Sequence, residues 1–125
     1  MKNIKNKIRL FWLNSENKDF LIENSEEHIF NLTYGSLLVG TLSFYEGVWH
    51  YAYSLDFQQQ KEVAPIINFP NTEKEYKSEQ LWPFFASRIP SNAQRDMLIG
   101  SEDLIPLLKR YGRTVISNPF TLLPV

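Results

Sequence analysis

The stretch Leu37–Ser54, LLVGTLSFYEGVWHYAYS, holds the turn around which the rest of the chain is organised. Runs rich in β-branched and aromatic residues flank Glu46 and Gly47. A glycine reaches positive φ without steric cost, so this pair reads as a two-residue hairpin turn. That turn sets Tyr45 opposite Val48 and Phe44 opposite Trp49; further out, Leu42 faces Tyr51 and Gly40 faces Tyr53. Strand alternation then puts Leu42, Phe44, Trp49, Tyr51 and Tyr53 on one face, and Thr41, Ser43, His50 and Ala52 on the other. The first set is a core face. Aromatic sheets also serve as platforms for single-stranded RNA, a use the balanced charge argues against. His50, on the opposite face, is expected as a solvated strand residue.

Outward from the hairpin, His28–Tyr34 and Leu37–Val39 read as another strand pair turning at Gly35. Downstream, PIINFP (Pro65–Pro70) reads as a short extended segment and LWPFFASRIP (Leu81–Pro90) as an aromatic helix. In the latter, Leu81, Phe85 and Ile89 recur at helical spacing, Pro83 is tolerated only in the first turn, and Pro90 ends the run. Ser91 is placed to cap a short helix through Arg95 to Ile99. Leu104, Leu107, Leu108 and Tyr111 give a clear helical stripe, with Asp103 near its start, Lys109 and Arg110 near its end, and Gly112 as the stop. Val115 and Ile116 are expected as an edge strand, and 118–125, with Pro119 and Pro124, as an irregular tail. The resulting class is α+β: one domain, a small antiparallel sheet of hairpins covered by two or three short helices. Its expected divisions are an extension over 1–27, forming an extra hairpin or arm, the domain over 28–117, and the tail.

Composition agrees with one self-sufficient core. A chain of 125 residues, 43% hydrophobic and 22% charged, buries roughly two thirds of its unfolded surface without metal or disulfide staples. It has no cysteine, which excludes thiolate metal sites and thiol catalysis and fits a reducing, cytoplasmic setting. Lys2, Lys5, Lys7 and Arg9 are followed by no apolar stretch of signal-peptide length, and no run approaches a membrane span. A net charge of −1 gives no general reason to bind nucleic acid or anionic lipid.

The catalytic inventory is thin. Two histidines on expected strands, with no helical carboxylates at ligand spacing, do not make a metal site. The glycines are too scattered for a phosphate loop, no serine lies in a nucleophile-elbow context, and kinase ATP-binding or catalytic-loop motifs are missing. The chain is therefore expected to be a binding protein without a cofactor. On the aromatic helix the buried stripe centres on Phe85, which places Trp82 and Phe84 on its margins. Tryptophan and arginine dominate binding hot spots. Trp82 is thus the first candidate anchor, with Phe84, Phe85, Arg88, Ser91 and Arg95 as the surrounding partner-binding residues.

From about Ile29 to Tyr111, the VGTL strand, the PIINFP segment, the PFF helix and the leucine-rich helix resemble the N-terminal subdomain of HipA-type toxin kinases. In those proteins the subdomain precedes a Ser/Thr kinase core. A free-standing copy resembles the HipS-like antitoxins of tripartite HipBST systems. There a HipT-like Ser/Thr kinase toxin is encoded separately and a HipB-like protein carries a helix-turn-helix. The resemblance implies an antitoxin that docks near the kinase cleft and inhibits it, reaching the HipB-like protein through a ternary complex. The rival expectations are an assembly or activating subunit of the kinase and a single-stranded RNA-binding protein.

Overall fold

The Glu46–Gly47 turn sets the register of the central hairpin. Both residues have positive φ, 54° and 78°, the backbone of a tight turn matched to strand twist. Around it, β2 (Leu37–Tyr45) and β3 (Val48–Tyr53) pair with Tyr45 opposite Val48, Phe44 opposite Trp49, Leu42 opposite Tyr51 and Gly40 opposite Tyr53. This is the register expected from the sequence. A second hairpin turns at Gly35 and joins β2 to β1 (His28–Tyr34). The computed structural model describes residues 27–91, 103–116 and 118–125. The expected 1–27 extension, apart from Glu27, lies outside these residues, as does the expected helix through Arg95 to Ile99.

Three short helices and two further strands complete the described residues: α1 (Leu55–Gln59), β4 (Tyr76–Ser78), α2 (Pro83–Ala86), α3 (Leu104–Tyr111) and β5 (Phe120–Pro124). The antiparallel sheet has the order β4-β3-β2-β1-β5. Phe57 of α1, Phe85 of α2, and Ile105 and Leu108 of α3 join the inner-face residues of the sheet in one buried cluster. The chain is thus a single small α+β domain. No helix among the described residues is long and apolar enough to cross a membrane.

Leu42, Trp49 and Tyr51 are 0% exposed, so the aromatic face is core and offers no platform for stacking bases. Gly40 makes this packing possible. A Cβ there would lie 2.7 Å from Tyr51 Cζ and 2.5 Å from the Ala52 carbonyl oxygen, closer than real side chains approach.

The structure corrects several expectations. The tail is not irregular: Phe120–Pro124 pairs antiparallel with β1 and buries Leu122. The prolines are compatible with this because β5 is an edge. The Leu122 amide donates outward to the Arg113 carbonyl at 3.0 Å, and the Phe120 amide to Asn118 Oδ1 at 2.8 Å. The next outward position is Pro124, which has no amide hydrogen to leave unpaired. Val115 makes only an isolated bridge to Asn118, and Ile116 stands exposed in the turn between them.

Further differences are local. The aromatic helix begins at Pro83, not Leu81, and after Ala86 tightens into turns in which the Arg88 and Ile89 amides reach back to the Phe85 and Ala86 carbonyls. PIINFP is a turn, with the Phe69 amide donating to the Ile66 carbonyl at 2.8 Å. His50 is 8% exposed, not solvated, because the Tyr45 ring stacks on it at 4.3 Å.

Candidate partner-binding face

The PIINFP turn and the aromatic helix form one rigid unit, built from below by Tyr53. Its hydroxyl accepts from the Ile66 amide at 2.9 Å and donates to the Phe69 carbonyl at 2.7 Å, bridging both ends of the turn. Burial pushes the Tyr53 phenol up to about 12; the Ile66 amide acts the other way, and the neighbouring Tyr76 adds to the rise. Phe69 then enters the core against Tyr51, with ring centroids 4.3 Å apart.

The turn in its turn caps the helix. Trp82, at the N-cap of α2, has no side-chain oxygen and makes no side-chain cap. Asn68 Oδ1 fills that role from the PIINFP turn, accepting from the Phe84 amide at 2.9 Å. One of the donors that every helix start leaves unpaired is thereby satisfied. Pro83 at N1 needs no acceptor and has its φ preset for a helix.

This unit fixes four of the six residues singled out from the sequence. Phe85 is fully buried, against Tyr51 at 5.7 Å and Phe69 at 6.0 Å. Trp82 is half-buried, its ring edge-on to Phe69 at 4.9 Å. Phe84 is also half-buried, edge-on to Phe85 at 5.1 Å and Phe120 at 5.5 Å. Arg88 is 4% exposed. Its Nη1 donates to the carbonyls of Gly112 (2.6 Å) and Arg113 (3.2 Å), and its Nη2 to that of Phe120 (3.0 Å), with the guanidinium over the Phe84 ring. Burial lowers its pKa from the usual arginine value. Arg88 thus ties α2 to the end of α3 and to β5 and presents no free side chain. Ser91 is exposed just after the aromatic segment, and Arg95 lies outside the described residues.

Beside Phe84 runs a groove of about 430 Å³, lined among others by Pro65, Ile67, Asn68, Pro83 and Phe120. Ile67 is 93% exposed. Sequence reasoning missed three of these residues. The asparagine inside an apolar PIINFP run marked the cap, the adjacent pair Ile66 and Ile67 marked one side chain inside and one outside, and Phe120 with Leu122 marked strand alternation. Among the described residues no group of three His, Cys, Asp or Glu side chains is arranged to hold a metal ion.

A five-stranded antiparallel sheet with short helices on one face and a half-exposed aromatic ridge is the architecture in which these residues are set. The family model of the HipA N-terminal domain matches residues 30–116, and the chain belongs to that family. Among solved structures it is similar to one described as the N-terminal domain of HipA toxin, at 16% sequence identity and a TM-score of 0.60. The similarity covers 78% of this chain and 92% of that one, and at this identity it speaks for the fold. No curated protein sequence matches.

Proposed function

We propose that this chain is a non-enzymatic, HipS-like antitoxin that binds a separately encoded HipT-like Ser/Thr kinase toxin in the cytoplasm and inhibits it. The observation that carries the reading is Trp82, a half-exposed tryptophan held on Phe69 at the head of a helix that the PIINFP turn caps. Rigid aromatic anchors of this kind, placed before any partner arrives, lose little entropy on binding. Family membership supports a role linked to HipA-type kinases, and these 125 residues contain no kinase motif of their own. In this reading Trp82 and Phe84 pack at the edge of the kinase cleft and obstruct nucleotide or substrate, or hold the lobes apart. Phe85 and Arg88 support them from beneath, Ser91 and Arg95 extend the contact, and a HipB-like helix-turn-helix protein joins through the kinase.

The test is growth of cells expressing the kinase with and without this chain, together with a tag pull-down. Rescue with a stable complex is expected. Binding with persistent or deeper toxicity would instead make the chain an assembly or activating subunit, and absence of binding would remove the kinase reading altogether.

A further inference from the structure

Beside Trp82 and Phe84 the apolar surface continues: Pro83 and Pro65 are exposed, Ile67 is 93% exposed, and Phe120 is partly open. All of these except Trp82 line the groove of about 430 Å³. Contiguous exposed apolar surface marks a place where another molecule packs. A partner seated over Trp82 and Phe84 therefore meets a hollow, not a flat surface. Interface cores are packed as densely as protein interiors, and a hollow left empty against apolar walls forfeits the contacts of the atoms that line it. Water fills such a space poorly, because an ordered water needs several polar partners.

The lining also indicates what fills it. Among the described residues, none of the nine that border the groove is charged. Arg88, whose guanidinium lies over the Phe84 ring, is 4% exposed and gives its Nη donors to three carbonyl oxygens, so its charge is directed inward. Asn68 Oδ1 is committed to the Phe84 amide, and Ser87 Oγ lies 3.4 Å from the Phe84 carbonyl. A charged group brought in by a partner would lose its hydration here and find no opposite charge, which is strongly unfavourable.

We propose that the groove receives an apolar side chain from an uncharged segment of the partner kinase. The contact is then reciprocal: Trp82 projects from this chain, and the partner projects into the groove beside Phe84. The inference rests on the reading that the partner is a kinase bound by this chain, and adds to it the chemistry of what the kinase inserts. With its oxygen committed to α2, Asn68 keeps its Nδ2 donors for one main-chain carbonyl of the inserted segment.

The experiment measures affinity for the purified kinase. It compares the unaltered chain with Ser87→Phe, which fills the groove, with Ile67→Asp and Ile67→Lys, which charge it with either sign, and with Trp82→Ala. Ser87 and Ile67 are exposed, so melting temperatures are expected within a few degrees of the unaltered chain. Each of the three groove variants is expected to bind roughly tenfold more weakly or worse. Should Ser87→Phe melt early, the two Ile67 variants carry the test. Affinity unchanged or raised by the groove variants, alongside weakened binding by Trp82→Ala, would overturn the insertion and leave the antitoxin reading standing. Tighter binding by one of the two charged variants alone would show a charged segment in the groove and would likewise overturn it. Sedimentation of the free chain as a dimer that Ile67→Asp dissociates would give the groove to a second copy. A full-length chain carrying Phe11→Ser and Trp12→Ser that bound the kinase more tightly would give it to the chain's own start. Either result removes the proposal. No binding by the unaltered chain would overturn this inference and the kinase reading together.

Discussion

Trp82 and Tyr53 sit a few side chains apart, both touching the PIINFP turn, and their chemistry assigns them opposite duties. Trp82 packs edge-on against Phe69 and keeps part of its ring in solvent. Trp82→Ala is therefore expected to weaken kinase binding by about 2 kcal/mol or more, the scale of an aromatic hot spot. It should cost less than that in the unfolding free energy of the free chain, measured by urea denaturation. A stability loss equal to or above the binding loss would make Trp82 a core residue. Tyr53 is the reverse case, 6% exposed and committed to two internal hydrogen bonds. Tyr53→Phe leaves the Ile66 amide buried without its acceptor and is expected to cost about 1–3 kcal/mol. Its phenol, near 12 in the folded chain, ionises near 10 once unfolded. The neutral form is favoured by folding, so the associated stability is fully present below about pH 10 and is lost as pH rises from about 10 to 12. The shift corresponds to about 3 kcal/mol at most. Urea midpoints measured between pH 9 and 11.5 should fall less steeply for Tyr53→Phe than for the unaltered chain; parallel slopes would contradict the assignment.

Among the elements, α2 is too short to stand by itself, since isolated helices of one turn are not stable in water. It persists because Asn68 caps it, Phe85 is buried beneath it, and Arg88 ties its far end to carbonyls of α3 and β5. Asn68→Ala should cost about 1 kcal/mol, whereas Asn68→Asp, which keeps the accepting oxygen, should lose much less. Because Phe84 and Pro83 line the groove, the alanine variant should also weaken partner binding, read by titration calorimetry; equal stability of the two variants would show that the cap is not what holds α2. How much of this was legible follows from the range of the interactions. The hairpin register was readable because Glu46 and Gly47 fix it locally, and α3 because its apolar stripe and Gly112 stop are local too. The cap was missed because the asparagine in the apolar PIINFP run is only a local mark, and the helix it serves is remote, with Phe84 sixteen positions on. His50 was misplaced because alternation assigns a face but not what stacks upon it. Strand β5 was missed because Pro124 within it and Pro119 just before it argue against a strand, and only its place at the sheet edge removes the objection. For the candidate face, helical spacing put Phe85 at the centre of the buried stripe, but gave no sign that Arg88 turns inward to carbonyl oxygens or that Ile67 and Phe120 border Phe84.

At the scale of the whole molecule, the chain's last residues close the fold that its first described strand opens. Strand β5 covers the free edge of β1, buries Leu122 over the core, and supplies Phe120, whose carbonyl takes Arg88 Nη2 while its ring meets Phe84 and Tyr34. Fold and candidate face therefore share one element but use different side chains of it. Position along one face of the strand separates the two duties: Leu122 is 1% exposed over the core, while Phe120, two residues earlier on the same face, remains partly open at the groove. Leu122→Ala removes a buried side chain and leaves a cavity, an expected loss of about 2–4 kcal/mol in stability. Its effect on kinase affinity should be small under conditions where the chain stays folded. Phe120→Ala should do the opposite, costing little in urea stability while weakening kinase binding by roughly threefold or more through the opened groove wall. Amide hydrogen exchange distinguishes the two further. Leu122→Ala should raise exchange along β1 and β5 together, since each strand's ladder depends on the other, whereas Phe120→Ala should confine the change to the groove. If both substitutions lowered stability and affinity in proportion, the face would have no energetics of its own, and its binding would merely report how much of the chain is folded.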